Sequence, residues 1–405
     1  MVAPASFGRY QALLVALLSL NFGILFFDRN ALSFVMPFVK SELGLTNTQV
    51  GLTASALSLA WAASALFIGA RADRSGRRKR YLVGATVAFS LCSFLSGLAN
   101  SYLLLLGSRF LMGLADGGIA PLSQSITALA VSPERRGLAM GVMQNFGSNL
   151  LGSFAAPVLL VGVANAFGWH MAFYLAGVPG LICAWLLWRF IREPAAVAST
   201  DPVPTAPLLR RLRQILGLRN MILCALISIL LVSYLVICWS FVPLFLTKMR
   251  GFDTTTMSWL MGALGISATV GSFVVSGISD RIGRKPVMVF SAFLGVVLPL
   301  GALYYGGSVW ILAGMFFVGW ALTGTFPLFM GTIPSETVGR AHMTTAIALV
   351  MGTGEVFGGV LSPTLAGWAA DIAGLSAPLW IMLGLCTTSG LLALALRETA
   401  PARTR

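Results

Sequence analysis

Five ionisable side chains stand inside stretches that are otherwise apolar: Asp28, Arg29, Arg109, Asp116 and Glu355. A charge in hydrocarbon is costly, and where one persists it marks a binding or proton path unless a neighbour merely neutralises it. Arg109, Gly113, Asp116 and Gly117 fall at i, i+4, i+7 and i+8, so they share one helical face, with glycines clearing room for a ligand or a second backbone. Asn21 and Asp28 are seven apart and share a face as well. Asp28 and Arg29 are neighbours, turned about 100° from one another around a helix, and so address different partners. Two chemistries fit these spacings. Asp28 with Arg109 and Arg29 with Asp116 make structural ion pairs in one. In the other, the arginine forks receive an anionic substrate and a carboxylate carries a proton, since guanidinium suits carboxylate and a desolvated acid holds its proton more tightly. The second is preferred, because purely structural pairs are replaceable by apolar residues at lower cost.

Other polar groups extend this set. Glu355, in Gly352-Thr-Gly354-Glu355-Val-Phe-Gly358-Gly359, is a candidate second proton site or cation contact, with a helix-end acid in a wet vestibule as the plainer alternative. Gln144, Asn145, Ser148 and Asn149 offer hydrogen bonds to substrate hydroxyls, and Trp61, Tyr234 and Trp320 are placed to stack on a ring or line a gate, although core packing explains each equally well. Cys92, Cys183, Cys224, Cys238 and Cys386 all lie in apolar runs without CxxC spacing, and read as packing residues rather than disulfides or metal ligands. His170 and His342 stand alone near span ends and read as interfacial. No nucleophile elbow, zinc spacing or P-loop is present, so the expectation is a non-enzyme with no cofactor and no metal, driven by an ion gradient or by its substrate's own.

The elements that must hold these groups follow from composition. Of 405 residues 57% are hydrophobic and 10% charged, with a mean hydropathy of +0.86, far from the roughly 25% charged residues of a soluble domain. The chain therefore lies in a lipid bilayer. Runs long enough to span it fall at about 10–38, 48–70, 81–98, 101–130, 138–164, 169–191, 220–247, 255–279, 287–305, 308–333, 342–370 and 376–396. The first is not followed by an A-x-A cleavage site and reads as a span, not a signal peptide. With both termini in the cytoplasm, 22 of the 27 basic residues fall on inner segments, three on outer loops (Lys40, Lys248, Arg250) and two inside spans. That asymmetry accounts for a pI near 10.4 without nucleic acid. A multi-pass protein of the cell inner membrane is expected, working as a monomer.

The halves repeat. Asp73-Arg74-Ser-Gly76-Arg77-Arg78 after span two returns as Asp280-Arg281-Ile-Gly283-Arg284-Lys285 after span eight, 207 residues on. Gly113, Pro121, Gly152 and Pro157 return as Gly319, Pro327, Gly358 and Pro363, each at 206. Between them runs a proline-rich segment followed by the basic amphipathic stretch Leu208–Leu216. The expected organisation is a six-helix bundle over 1–191, a cytoplasmic linker over 192–219 and a second six-helix bundle over 220–405: an all-α membrane fold with a site between pseudo-symmetric halves.

The D-R-x-G-R-R loop, its second copy, the 6+6 layout and the linker resemble the major facilitator superfamily across essentially the whole chain. That resemblance implies secondary transport by alternating access, with the loop groups Asp73, Arg74, Arg77, Asp280, Arg281 and Arg284 latching the halves. A topogenic role for the basic loop is the plainer alternative. The second copy departs from the pattern, its first glycine shifted to Gly277 with Ser276 in its place. Phe26-Phe-Asp28-Arg29-Asn-Ala-Leu-Ser and Arg109-Phe-Leu-Met-Gly113-Leu-Ala-Asp116-Gly further resemble the anion:cation symporter family. This implies proton-coupled symport of a small organic carboxylate such as a sugar acid, hexuronate or aromatic acid, with Arg29 and Arg109 on the substrate and Asp28 and Asp116 taking protons. Asp116 stands where that family more often has Glu, and Phe26 where a tyrosine is common. Spinster-like lipid transporters share much of the constellation, so export of a drug or lipid-like amphiphile is the alternative, and a membrane-embedded enzyme or sensor a remote one.

Overall fold

A backbone N–H or C=O in hydrocarbon has only its own chain to bond, so apolar runs of this length coil into helices. The computed structural model describes residues 8–75, 77–131, 139, 142–193, 214–338 and 343–400, and among them every regular element is helical. Eleven helical segments are long and apolar enough to cross a membrane: Arg9–Leu43, Arg78–Gly97, Tyr102–Thr127, Ser148–Phe167, Trp169–Phe190, Arg219–Lys248, Thr254–Ile282, Arg284–Tyr304, Val309–Val338, Ala346–Ala373 and Ala377–Leu394. Asn47–Ser75, rich in Ala and Ser, is a 29-residue helix and stands as span two. Span one is longer than its apolar run suggested, reaching 35 residues and carrying Lys40 in its last turn. Most of the expected linker lies outside the described residues, as do His342 and the side chains of Asp73, Arg74, Gln144 and Asn145.

The chain divides into two compact units: Met1–Val35 with Ala60–Ala198, and Met36–Leu59 with Ser199–Arg405. The division therefore differs from strict sequence order, since residues 36–59 pack with the second unit. The reason lies at the start of span two. The Asp371 carboxylate of span eleven accepts from the Asn47 and Thr48 amides at 2.8 Å each and from the Thr48 hydroxyl at 2.6 Å. It thereby satisfies donors that a helix N-terminus leaves open. Gly51 meets the Pro363 carbonyl and Gly367 meets the Asn47 carbonyl, with no space for a β-carbon at either.

Close helix approach within each unit also rests on glycine, as expected where lipid supplies no hydrophobic drive. In unit one, span one lies against span five. A β-carbon on Gly23 would stand 2.8 Å from the Gly147 carbonyl, one on Gly147 would meet the Ser19 carbonyl, and one on Gly152 would meet Phe26. In unit two a β-carbon on Gly358 would stand 2.8 Å from the Ile229 carbonyl of span seven. Both glycines lie in stretches of π-helix, Ser148–Ala155 and Gly354–Leu361, which begin 206 residues apart. Each gives way to a following helix at a proline, Pro157 or Pro363, whose ring and missing N–H interrupt the ladder behind it. The repeat is thus one of backbone form as well as of residues. Span four breaks too, running Tyr102–Asp116, turning at Gly117-Gly118 and resuming at Ile119–Ala130.

A further repeated pair closes each unit. Glu193, just past span six, accepts from the Lys79 amide at 2.9 Å, in the first turn of span three. Glu398, just past span twelve, accepts from the Arg284 and Lys285 amides at 2.8 and 3.2 Å, in the first turn of span nine. The residue before each is pinned as well: the Arg192 amide donates to the Tyr10 hydroxyl and the Arg397 amide to Asn220, both at 2.9 Å. Burial pushes the Glu398 carboxyl up, but bonds from the amides of Ala400, Arg284, Lys285 and Thr399 outweigh it and hold the group below the usual carboxylate range. A carboxyl lowered in the folded state contributes stability that is present above its unfolded pKa of about 4.3 and lost as pH falls through the folded value. Glu398→Gln should cost about 1 kcal/mol at neutral pH, as other lost caps do. Thermal unfolding of the two proteins should show this difference at pH 7 and a narrowing gap below about pH 4.

Candidate functional site

Unit one gathers the intramembrane charges of spans one and four. Asp28 is 0% exposed and its Oδ1 accepts from Ser93 of span three at 2.7 Å, while its Oδ2 has no hydrogen-bond partner among the described residues. Ser93 Oγ is also 2.9 Å from the Phe173 carbonyl of span six. A hydroxyl carries one hydrogen, so when Ser93 serves Phe173 its contact with Asp28 is a hydrogen bond only if Asp28 holds a proton. Seven residues earlier on the same face, Asn21 accepts from Thr86 at 3.2 Å, which lays span one along span three.

The two arginines are held differently. Arg109 is 1% exposed, with its guanidinium 4.9 Å from the centre of the Phe173 ring. Its Nη1 donates to the Met112 sulfur at 3.3 Å and reaches the Arg29 carbonyl at 3.5 Å, whereas Nε and Nη2 find no hydrogen-bond partner among the described residues. Arg109 and Asp28 act on one another electrostatically without closing to an ion pair of 4 Å or less. Arg29 keeps 18% of its side chain exposed, lies 5.5 Å from the centre of the Trp61 ring and pairs with Asp116 at 3.7 Å. Asp116 is 0% exposed at the end of the first part of span four, where the break at Gly117 begins. Of the two structural pairs weighed from sequence, the Arg29–Asp116 pair is formed and the Asp28–Arg109 pair is not. The cluster thus holds one partly exposed guanidinium, a second, buried one with unused donors among the described residues, and two buried carboxyls.

The remaining candidates fall elsewhere. Trp61 joins the charged cluster through Arg29. Asn149 is half-buried in the π-stretch of span five, and Asn30, not singled out from sequence, donates to the Gly152 carbonyl there at 3.1 Å. Tyr234 and Trp320 are buried in unit two, with ring centres 6.0 Å apart, and Tyr234 donates to the Gly295 carbonyl at 2.8 Å. Both pack, and neither presents a free face. Glu355 is half-buried in the π-stretch of span eleven, its Oε2 close to Gly359, which also faces Ser58. Arg77 is exposed after span two, and Asp280 and Arg281 are exposed at the end of span eight. Arg284 is buried and binds Asp280, the Ser279 hydroxyl at 2.7 Å and Glu336 at 3.1 Å, a network inside unit two. His170 bonds the Gly97 carbonyl at 2.8 Å and stacks on Trp169. Among the described residues no cluster of His, Cys, Asp and Glu could hold a metal ion. Ser93, Phe173 and Glu336 were not singled out from sequence, because a lone serine, phenylalanine or loop acid carries no spacing signal.

Comparison with known proteins concerns the chain as a whole. The family model for the Major Facilitator Superfamily matches residues 18–354 and 237–405. A hexuronate transporter of Bacillus subtilis is 28% identical over 89% of this chain and 88% of its own length. A probable sulfoacetate transporter of Cupriavidus necator is 27% identical over 89% and 88%. Among solved structures, a bacterial homolog of the human lysosomal transporter Spinster, inward-facing and unoccupied, superposes with a TM-score of 0.75 over 96% of both chains at 18% identity, a likeness of fold. The duplicated helical halves, the loop motif and the matched model lead to one conclusion: this chain belongs to the Major Facilitator Superfamily.

Proposed function

We propose that this protein is a secondary transporter that moves a small organic carboxylate together with protons. The observation that carries the reading is the Arg29–Asp116 pair: a partly exposed guanidinium held, at 3.7 Å, by a fully buried acid. An incoming carboxylate offers Arg29 two oxygens in bidentate geometry and competes with Asp116 for it. Once Arg29 turns to the substrate, the buried Asp116 gives up part of the positive charge facing it, which is costly, and taking up a proton relieves that cost. Substrate and proton thereby enter as a pair. Arg109, with Nε and Nη2 unused, is the second cationic arm, and Asp28 is a second proton site whose occupancy Ser93 accommodates by turning its single hydrogen. Relatives whose names carry hexuronate and sulfoacetate, both anionic, support the substrate class. Glu355 is assigned as a reserve proton site in unit two, Gln144 and Asn145 as hydroxyl contacts, and the loop groups Asp73, Arg74 and Arg77 as conformational latches.

Substrate charge is tested first. Trp61 lies against Arg29, so its fluorescence reports occupancy during titration with sugar acids, aromatic acids, their neutral analogues and lysolipids. Acids should quench and their neutral analogues should not. Arg29→Ala should weaken the acid by at least about tenfold, the loss expected when one partner of a desolvated charge pair is removed. Arg29→Lys should restore little of it, having one point charge in place of a fork. A response to lysolipids alone would favour the amphiphile reading.

Coupling is tested next. In vesicles with an imposed pH gradient, Asp116→Asn should lose accumulation of substrate against its gradient while retaining exchange of internal for external substrate. Exchange needs binding and alternating access but no net proton movement. Uphill accumulation by Asp116→Asn at the wild-type level would remove Asp116 from the proton path.

A further inference from the structure

Unit one carries a groove of about 460 Å³ between spans three and four, bounded by Ile68 of span two. On span four, Arg109, Met112, Gly113 and Asp116 are buried, whereas Leu111 and Leu114, which form its lip, are 47% and 36% exposed. On span three its wall begins at Tyr81 and continues with the small residues Gly84, Ala85 and Ala88, ending at Cys92. Gly84 is exposed and a β-carbon there would meet nothing within 4 Å, so the groove is open to the bilayer at that point. The strongly polar group on its wall is Arg80, at the end where Arg77, Arg78, Lys79 and Arg80 follow one another.

Length and charge identify what fits. From Arg80 to Cys92 a helix rises about 18 Å, and one leaflet of hydrocarbon is about 15 Å deep. The groove therefore runs from the level of the headgroups to the middle of the bilayer, the course of one acyl chain. An apolar recess open to lipid gains dispersion contacts only when chain atoms fill it. At its basic end a guanidinium suits a phosphate, and the four consecutive basic residues favour a headgroup with no amine of its own. We propose that the groove is a binding site for one anionic phospholipid of the surrounding leaflet, with an acyl chain along Gly84 to Cys92 and the phosphate on Arg80. The site touches the back of the charged cluster, because Ala115 precedes Asp116 and Cys92 precedes Ser93.

Native mass spectrometry of the full chain purified in detergent tests this, with phosphatidylglycerol and phosphatidylcholine of matched chains as probes. One phosphatidylglycerol should be retained several-fold more than phosphatidylcholine. Arg80→Gln should remove most of that preference, and Gly84→Leu, whose side chain enters the groove, should lower retention of both lipids several-fold. On the unaltered protein, shortening the acyl chains should weaken retention of phosphatidylglycerol several-fold, so the result does not depend on either variant folding. Equal retention of the two headgroups, retention independent of chain length, or wild-type binding by folded Gly84→Leu would each overturn the assignment.

Discussion

An ionised group in hydrocarbon is tolerated only when something stands against its charge, and the inner arrangement of unit one is organised by that demand. Asp28, Arg109 and Asp116 are almost fully shielded from solvent, yet the available partners are spread unevenly among them. Arg29 answers Asp116, Ser93 answers one oxygen of Asp28, and the Phe173 ring faces Arg109. Among the described residues, Asp28 Oδ2 and Arg109 Nε and Nη2 find no hydrogen-bond partner. A purely structural network would have closed these gaps, since an apolar core of the same volume is cheaper than a half-satisfied polar one. Incomplete pairing is what a site needs if a guest and a proton are to complete it in turn.

The duplication makes the point from the other side. Both units use the same backbone devices: a π-stretch ended by proline, a glycine against the first helix of the half, and a carboxylate on the first turn of the third. At the repeat distance of 206, however, Asp28, Arg29, Arg109 and Asp116 correspond in sequence to Tyr234, Leu235, Met315 and Leu322. The second unit fills those places with packing, Tyr234 against Trp320 and Trp320 against Trp239. At these places one copy therefore carries charged side chains, and the other carries aromatic and aliphatic ones. The acid of unit two that falls in a repeated place, Glu355, matches Asn149, so even there the two copies have diverged.

Much of this was legible in the residues alone, for definable reasons. Bilayer thickness and backbone satisfaction dictate the spans, and a helical face is a matter of arithmetic, so the alignment of Arg109 with Asp116 needed no structure. The repeat announced itself through glycine and proline, the residues with the strongest backbone preferences. Partners across helices were not legible. Nothing in the spacing marks Ser93 as the neighbour of Asp28, or Phe173 as that of Arg109. The same spacing admitted an Asp28–Arg109 pair that the fold leaves open. Glu193 and Glu398 were overlooked because each is one acid in a short tail, and only the amides it faces disclose its role. Span one runs past its apolar segment to Leu43, and Lys40 in that polar end bonds the Asn47 side chain.

The junction of span two with span eleven has a mechanical consequence. Gly51 against Pro363 and Gly367 against Asn47 bring two backbones into direct contact. Knobs seated in holes must unmesh one by one, and every unseated knob leaves a void. Backbones in bare contact leave no such voids, and the directed bonds across this seam are those of Asp371 with Asn47 and Thr48 and the Ser55–Thr364 hydroxyl pair at 2.7 Å. Such a seam is held by a few directed hydrogen bonds laid over bare backbone contact, so separating it costs those bonds together and not a row of side chains in turn.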